Sequence, residues 1–137
     1  MMKTEEYCFV CGKSNPKGLK VLFNHGNGKA LAEVILEDEY QGYSGIIHGG
    51  IISALIDEAC VYAANSLGFN TVTAELKIRF KNPLAPQEKI LVEAQAKHIK
   101  SKLIEAKAWI KKTNGSLIAE AETKLIIKEK TNDSKIL

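Results

Sequence analysis

From Gly50 to about Leu67 the chain is apolar or small, holds no proline, and stops at Gly68, where a helix end belongs. That pattern predicts one helix of roughly five turns. It is apolar nearly all round, so it must be buried, and the rest of the chain has to cover it. Yet the stretch "IIHGGIISALIDEA" (46–59) puts two glycines in front of this run and an acid, Asp57, inside it. Glycine is a poor helix residue and a buried carboxylate is expensive to desolvate. Both features need a reason other than helix stability.

The cover is legible as strands. Leu19, Val21 and Phe23 alternate, "HGNG" (25–28) supplies an Asn-Gly turn, and Ala30, Ala32, Val34 and Leu36 resume the period of two, which predicts a hairpin. "EDEYQGYSG" follows as an irregular loop. After the helix, "TVTAELKIRF" (71–80) alternates Val72, Ala74, Leu76, Ile78 and Phe80 on one face against Thr71, Thr73, Glu75, Lys77 and Arg79 on the other. "NPLAPQEK" breaks the pattern, and "ILVEAQAKHI", "LIEAKAWIKK" and "LIAEAETKLIIK" are further strands, joined at "KSK" and "TNGS". Hairpin, buried helix and a four-stranded antiparallel meander make an α+β layering, with one sheet wrapped about one helix.

At 137 residues, 45% hydrophobic and 26% charged, one ordinary globular domain over 1–137 is expected. Its first 18 residues form a Cys-x-x-Cys segment, and the polar end, "KEKTNDSKIL", is expected to fray. A net charge of +3, with acids and bases interspersed, gives no case for nucleic acid and slightly favours an anionic small molecule. No apolar run approaches the roughly 20 residues that span a bilayer, so no membrane partner is expected. The start "MMKTEEYCFVCG" lacks the apolar stretch of a secretory signal, and three cysteines are an odd number, so a reducing cytoplasm is the expected location.

Turning the helix by about 100° per residue puts Ile52, Ile56, Ala59 and Ala63 on the face that meets the sheet. Asp57 lies well away from it, among Gly50, Ser53, Ala54, Cys60, Val61 and Ala64, all small or short. The acid therefore projects into space kept clear for a partner chain or a substrate. At the helix start the first N–H groups have no internal acceptor, and the dipole adds positive potential. Without side chains at Gly49 and Gly50, a carbonyl oxygen can approach them, as in an oxyanion hole, where one donor is worth about 3 kcal/mol. Gly49 and Asp57 are eight residues apart, roughly 12 Å along the axis, so one carbonyl cannot touch both. An Asp57 from a second, antiparallel helix could. A two-fold dimer would build two composite sites.

"HGGIISALIDEA" in this hairpin–helix–meander context resembles the hotdog-fold thioesterases, nearest the phenylacetate-pathway and 4-hydroxybenzoyl-CoA thioesterase branch, over about residues 8–128. The resemblance implies a sheet wrapped around a central helix, dimers paired edge to edge into one continuous sheet, and hydrolysis of acyl-CoA; beside it, no cofactor is expected, and dimers are expected to pair further into tetramers. It implies a carboxylate nine residues after the motif histidine, His48, which is Asp57, and a backbone N–H from the following Gly49. It adds a Ser or Thr early in the strand after the helix, matched by Thr73. Many members carry Asn or Gln six residues before the histidine; here that position is Gly42, with Gln41 one step earlier as the alternative substrate contact beside Gly50. His48 belongs to the same site, acting on the carbonyl directly or, as its place just before the helix favours, shaping the loop.

Other motifs carry less. Glu58 points about 100° away from Asp57, so the two do not form an acid–base pair and Glu58 is expected to cap a loop or meet solvent. Cys8 and Cys11 have zinc-knuckle spacing, but no second pair follows and a closed zinc site needs four ligands, so no metal is expected and the segment is read as a cover for one end of the core. "GYSGI" departs from a nucleophile elbow. Lys77, Arg79 and Lys81, alternating along one strand face, and Lys97, Lys100 and Lys102, flanking a turn, could meet CoA phosphates or simply be solvated. The leading alternative function is a non-catalytic acyl-CoA-binding protein; a hotdog hydratase would want His and Asp placed differently, and a purely structural domain would leave Asp57 unexplained.

Overall fold

The computed structural model describes residues 6–130. One helix, α1 (Gly49–Asn65), lies against a six-stranded antiparallel sheet: β1 (Asn24–Gly26), β2 (Lys29–Ile35), β3 (Phe69–Phe80), β4 (Lys89–Lys100), β5 (Leu103–Lys112) and β6 (Leu117–Lys130). Among the described residues no helix is long and apolar enough to cross a membrane.

The hairpin turn is where the sequence puts it. Asn27 (φ 53°) and Gly28 (φ 78°) both take the left-handed conformation that a two-residue hairpin turn requires. A Cβ on Gly28 would also sit 3.0 Å from the Ala96 carbonyl oxygen. Ala30, Ala32, Val34 and Leu36 form the buried row. The first arm is shorter than expected, with only Asn24–Gly26 paired to β2. The alternating residues before it pair instead with the N-terminal segment, Leu19 N–H donating to the Phe9 carbonyl and Val21 N–H to that of Val10. Val10 and Val21 are buried, so this segment covers part of the core, as its sequence suggests.

The sheet order is β1-β2-β4-β5-β6-β3, which corrects the four-stranded meander. Only β4, β5 and β6 are sequential neighbours; β3 lies beyond β6, at the sheet edge. Alternation fixes which face a side chain takes but not which strand is next door, and the break at 81–88 lets the chain leave β3 and cross to β4 beside β2. The expected fraying of the polar tail is also revised at its start, because 128–130 complete β6; 131–137 lie outside the described residues.

Ile52, Ile56, Ala59 and Ala63 are buried against the sheet as expected, joined by Leu55, Cys60 and Ala64. The helix is not buried all round, however. Ser53, Ala54, Asp57 and Val61 are only half-buried, because the sheet ends at β3 before it can wrap that side. At its C-terminal end, Ser66 Oγ accepts from the Gly28 N–H (2.7 Å) and donates to the Ala63 carbonyl (2.7 Å), which ties the hairpin turn to the helix. Asn65 donates to Asn70 (3.0 Å), and Asn70 to Glu129 (3.1 Å), which ties the same end to β3 and β6.

Leu55 is fully buried at the centre of this packing. Leu55→Ala should destabilise the fold by about 2–5 kcal/mol, read as a lower urea midpoint at unchanged slope.

Candidate active site

Asp57 and Thr73 meet. The Thr73 hydroxyl donates to Asp57 Oδ1 at 2.6 Å, the short distance of a bond to a charged acceptor. They meet because β3 is irregular. Thr73 is opposite Leu125 and Glu75 opposite Lys124, so Ala74 is an extra residue without a partner, a β-bulge. Beyond it, Leu76, Ile78 and Phe80 oppose Thr123, Ala121 and Ala119, all inward-facing residues of β6; before it, Thr71 and Thr73 face the same side. The even phase expected for the whole of 71–80 therefore holds only from Leu76 onward. Thr73 shares a side with Leu76 and Ile78 rather than opposing them, and Val72 is turned outward, 40% exposed. Asp57 itself is half-buried, not enclosed, so its charge keeps contact with solvent at the sheet edge.

The helix start is built by "HGG". His48 is the N-cap, and its Nδ1 accepts from the Gly50 N–H at 2.8 Å. A Cβ on Gly50 would sit 3.0 Å from that nitrogen, so the second glycine makes room for the imidazole. Gly42 does so from the other side, where a Cβ would lie 3.3 Å from His48 Cδ2. His48 N–H donates to the Tyr40 carbonyl and Ile47 N–H to that of Leu84, which fixes the loop before the helix. The Gly50 donor is thus engaged within the chain. The Gly49 N–H, at the first helical position, has no intrahelical acceptor. Gly49 borders a groove of about 280 Å³ lined by Ile46, Ile47, Ile52, Phe80 and Leu84, where a Cβ on Gly49 would only touch the Phe80 ring at 3.5 Å.

Gln41 has both ends of its amide engaged in its own loop: Oε1 accepts from the Gly45 N–H at 2.5 Å and Nε2 donates to the Asp38 carbonyl at 2.8 Å. Asp57 does not line the groove at Gly49. The helix separates the two by the roughly 12 Å its rise dictates. Cys60, one turn on from Asp57, is buried, and burial raises its thiol to about 12, with the Asp57 charge adding to the effect; it is no nucleophile. Lys77 and Arg79 line an outer groove with Lys107, Trp109, Glu120 and Glu122, on the sheet face away from the helix, where acids offset the bases.

Residues 44–119, more than half the chain, match the thioesterase superfamily. The chain belongs to that superfamily. Relatives by sequence include a putative esterase of Archaeoglobus fulgidus, 30% identical over 69% of this chain and 62% of its own length. An uncharacterized mitochondrial protein of Candida albicans is 30% identical over 80% of this chain and 48% of its own length. The acyl-coenzyme A thioesterase THEM4 of Rattus norvegicus is 31% identical over 64% of this chain and 38% of its own. The chain therefore spans about half the length of these relatives. By structure, the PaaI protein of the E. coli phenylacetic acid degradation operon superposes with a TM-score of 0.77 over 82% of this chain and 83% of its own, at 22% identity. A hypothetical thioesterase of Streptococcus pneumoniae with coenzyme A gives 0.76 over 80% and 87%, at 16%. One long helix against an antiparallel sheet is the hotdog fold of these superfamily structures.

Of the residues singled out in the sequence, Asp57 of α1 meets Thr73 of β3, and His48, Gly49 and Gly50 form a second cluster at the start of the same helix. Glu58 turns elsewhere: it neither caps a loop nor faces only solvent, but accepts from two cysteine thiols. If the His48 ring holds the helix start, His48→Ala should cost about 1 kcal/mol, and His48→Asn, which keeps a capping acceptor, a few tenths, measured by chemical denaturation.

Proposed function

We propose that the chain is an acyl-CoA thioesterase whose site is completed by a second copy of itself. The observation that carries this is the Thr73–Asp57 pair, held half-open at the β3 edge, on the same helix whose first N–H group at Gly49 has no internal acceptor. β3 runs for twelve residues with no strand beyond it among those described, and Val72 and Phe80 are exposed along it. Such an edge is a template for pairing with another chain. Two copies paired along β3 about a two-fold axis would make one sheet and set the helices antiparallel, bringing Asp57 of one copy to the helix start of the other. Further pairing of dimers into tetramers is part of the proposal.

Gly49 N–H would hold the thioester oxygen as negative charge develops, beside the positive end of the helix. Thr73 fixes Oδ1 of Asp57, leaving Oδ2 for chemistry. That oxygen either takes a proton from water as the water oxygen adds to the carbonyl carbon, or adds itself and is released by water in a second step. In both routes the carbon–sulfur bond breaks and the thiolate leaves readily, so no strong general acid is required. His48 supports the site as the cap that orients the helix start, and Gly50 by its missing side chain. Gln41 could reach substrate only by giving up its loop bonds. Structures of the Streptococcus pneumoniae protein include an Asp→Ala and a Thr→Ala variant sixteen positions apart, the separation of Asp57 and Thr73. A reducing cytoplasm belongs to the same proposal, Cys8, Cys11 and Cys60 all being free thiols.

Asp57→Asn should lower hydrolysis of a responsive acyl-CoA by about a hundredfold or more with the fold intact, and Thr73→Val by about tenfold. Turnover unchanged in Asp57→Asn would end the proposal, and tight acyl-CoA binding without turnover in the parent chain would make it a binding protein. The composite site has its own test. Mixing Asp57→Asn with Gly49→Val, each inactive alone, should restore roughly a quarter of the parent rate, since half the dimers are mixed and each holds one intact site. A panel from acetyl through aryl to long-chain thioesters defines the acyl group. Rapid-quench single turnover with a labelled acyl group separates the two routes, because only attack by Asp57 leaves the acyl group transiently bound to the protein as a mixed anhydride.

A further inference from the structure

Thioester cleavage makes no use of Glu58, Cys8 or Cys11, and these three converge. Glu58 follows Asp57 on α1 but points toward the N-terminal segment, where Cys11 Sγ donates to Glu58 Oε2 at 2.8 Å and Cys8 Sγ to the same oxygen at 3.3 Å. The two sulfurs and the carboxylate oxygen all lie within 4.8 Å of one another, and all three residues are half-buried. A tetrahedral zinc ion with sulfur at about 2.3 Å and oxygen at about 2.0 Å needs S···O separations of roughly 3.5 Å and S···S of roughly 3.8 Å. Each S···O pair has to open by well under 1 Å to admit the ion.

The loop carrying the cysteines is wound too tightly for any side chain after the second one. Gly12 N–H donates to the Cys8 carbonyl at 2.9 Å, and a Cβ on Gly12 would fall 2.5 Å from the Glu6 carbonyl oxygen and 2.6 Å from that of Cys8, and closer still to Cys8 N. Ser14 closes the loop again, its N–H donating to the Glu6 carbonyl at 2.9 Å and its hydroxyl to the Glu6 carboxylate at 3.0 Å. The loop backbone thus fixes where the two cysteines emerge. Behind them, the Tyr62 hydroxyl hydrogen-bonds to Cys11, and Phe23 and His25 pack on the Tyr62 ring with centroids 5.0 Å away. Tyr62 can support a coordinated thiolate from outside the ligand shell. Burial, then the Glu58 carboxylate, hold the Cys11 thiol well above its ordinary range.

We propose that Cys8, Cys11 and Glu58 bind one zinc-type divalent cation, which clips the N-terminal segment to the middle of the central helix. On binding, the two thiols release two protons to solvent, and the ion takes two thiolates and the carboxylate. With the ligands half-buried, a water completes the four positions. The cross-link spans 50 residues of sequence between Cys8 and Glu58. It is independent of the thioesterase proposal, since none of its ligands belongs to the site at Asp57.

The test uses the full chain, reduced, stripped with a chelator and titrated with Co²⁺ and then Zn²⁺. The expected result is one cobalt per chain, with the d–d bands of a tetrahedral site and a thiolate-to-cobalt charge-transfer band, all displaced by zinc. Cys60→Ala should keep the bands; the double variant Cys8→Ser, Cys11→Ser should lose the charge-transfer band. Glu58→Gln should weaken binding by about tenfold or more with helix content unchanged by circular dichroism. Zinc should slow amide exchange across residues 8–21 of the parent and not of the double variant. Absence of cobalt bands in the reduced parent overturns the proposal. So do bands that survive in the double variant, which would put the metal elsewhere, and a Cys8–Cys11 disulfide forming in a chain that takes no metal when reduced.

Discussion

Everything in this structure follows from burying one apolar helix under a sheet too narrow to enclose it. Ile52, Leu55, Ile56, Ala59 and Ala63 are at or near zero exposure against the strands. That packing is the main apolar burial the chain has to offer, and it fixes the helix in rotation. With the rotation fixed, the side bearing Ser53, Ala54, Asp57 and Val61 has nowhere to go but the β3 edge, where the sheet ends. A carboxylate there avoids the full desolvation cost of the interior and still sits beside low-dielectric protein. The half-burial of Asp57 is a consequence of the fold, and Thr73 gives its near oxygen a partner.

The three residues at the helix start answer to one geometry. A histidine cap needs its acceptor nitrogen near the second or third N–H of the helix, and the Gly50 N–H supplies it. A side chain at Gly50 would press on the ring, and one at Gly42 would press from the opposite side. That leaves Gly49 as the position whose N–H is neither capped nor bonded within the helix. The loop pattern that departs from many relatives, Gly42 in place of an amide residue, is explained by the ring it accommodates. The amide function is present next door in Gln41 but is consumed in closing the turn at Gly45.

Local periodicity carried most of the fold. β5 coincides with "LIEAKAWIKK", β4 and β6 begin within a residue of their expected starts, and the helix is displaced by one or two residues at its ends. Failures came where a residue's fate depends on something distant. Strand alternation says nothing of neighbours, so the placement of β3 beyond β6 could not be read from "TVTAELKIRF" alone. The bulge at Ala74 has no local signature either. A strand of threonines, alanine and leucine reads equally well in one unbroken phase, and only the ladder to β6 shows that the phase changes. The Asp57–Thr73 contact was legible by family spacing while its structural cause was not.

Glu58 is the sharper lesson. From sequence it is the residue after the interesting one, turned aside by about 100°, and its partners lie 47 and 50 positions earlier. No window-based pattern connects "CFVCG" to "IDEA", and the cysteines fall outside the residues that match the superfamily. Successive carboxylates on one helix are thus committed to different neighbours, Asp57 to the sheet edge and Glu58 to the N-terminal thiols. Because the helix is rigid, whatever holds Glu58 also limits rotation of Asp57 about the helix axis. A contact far from the sheet edge in sequence can therefore steady the carboxylate that the edge exposes.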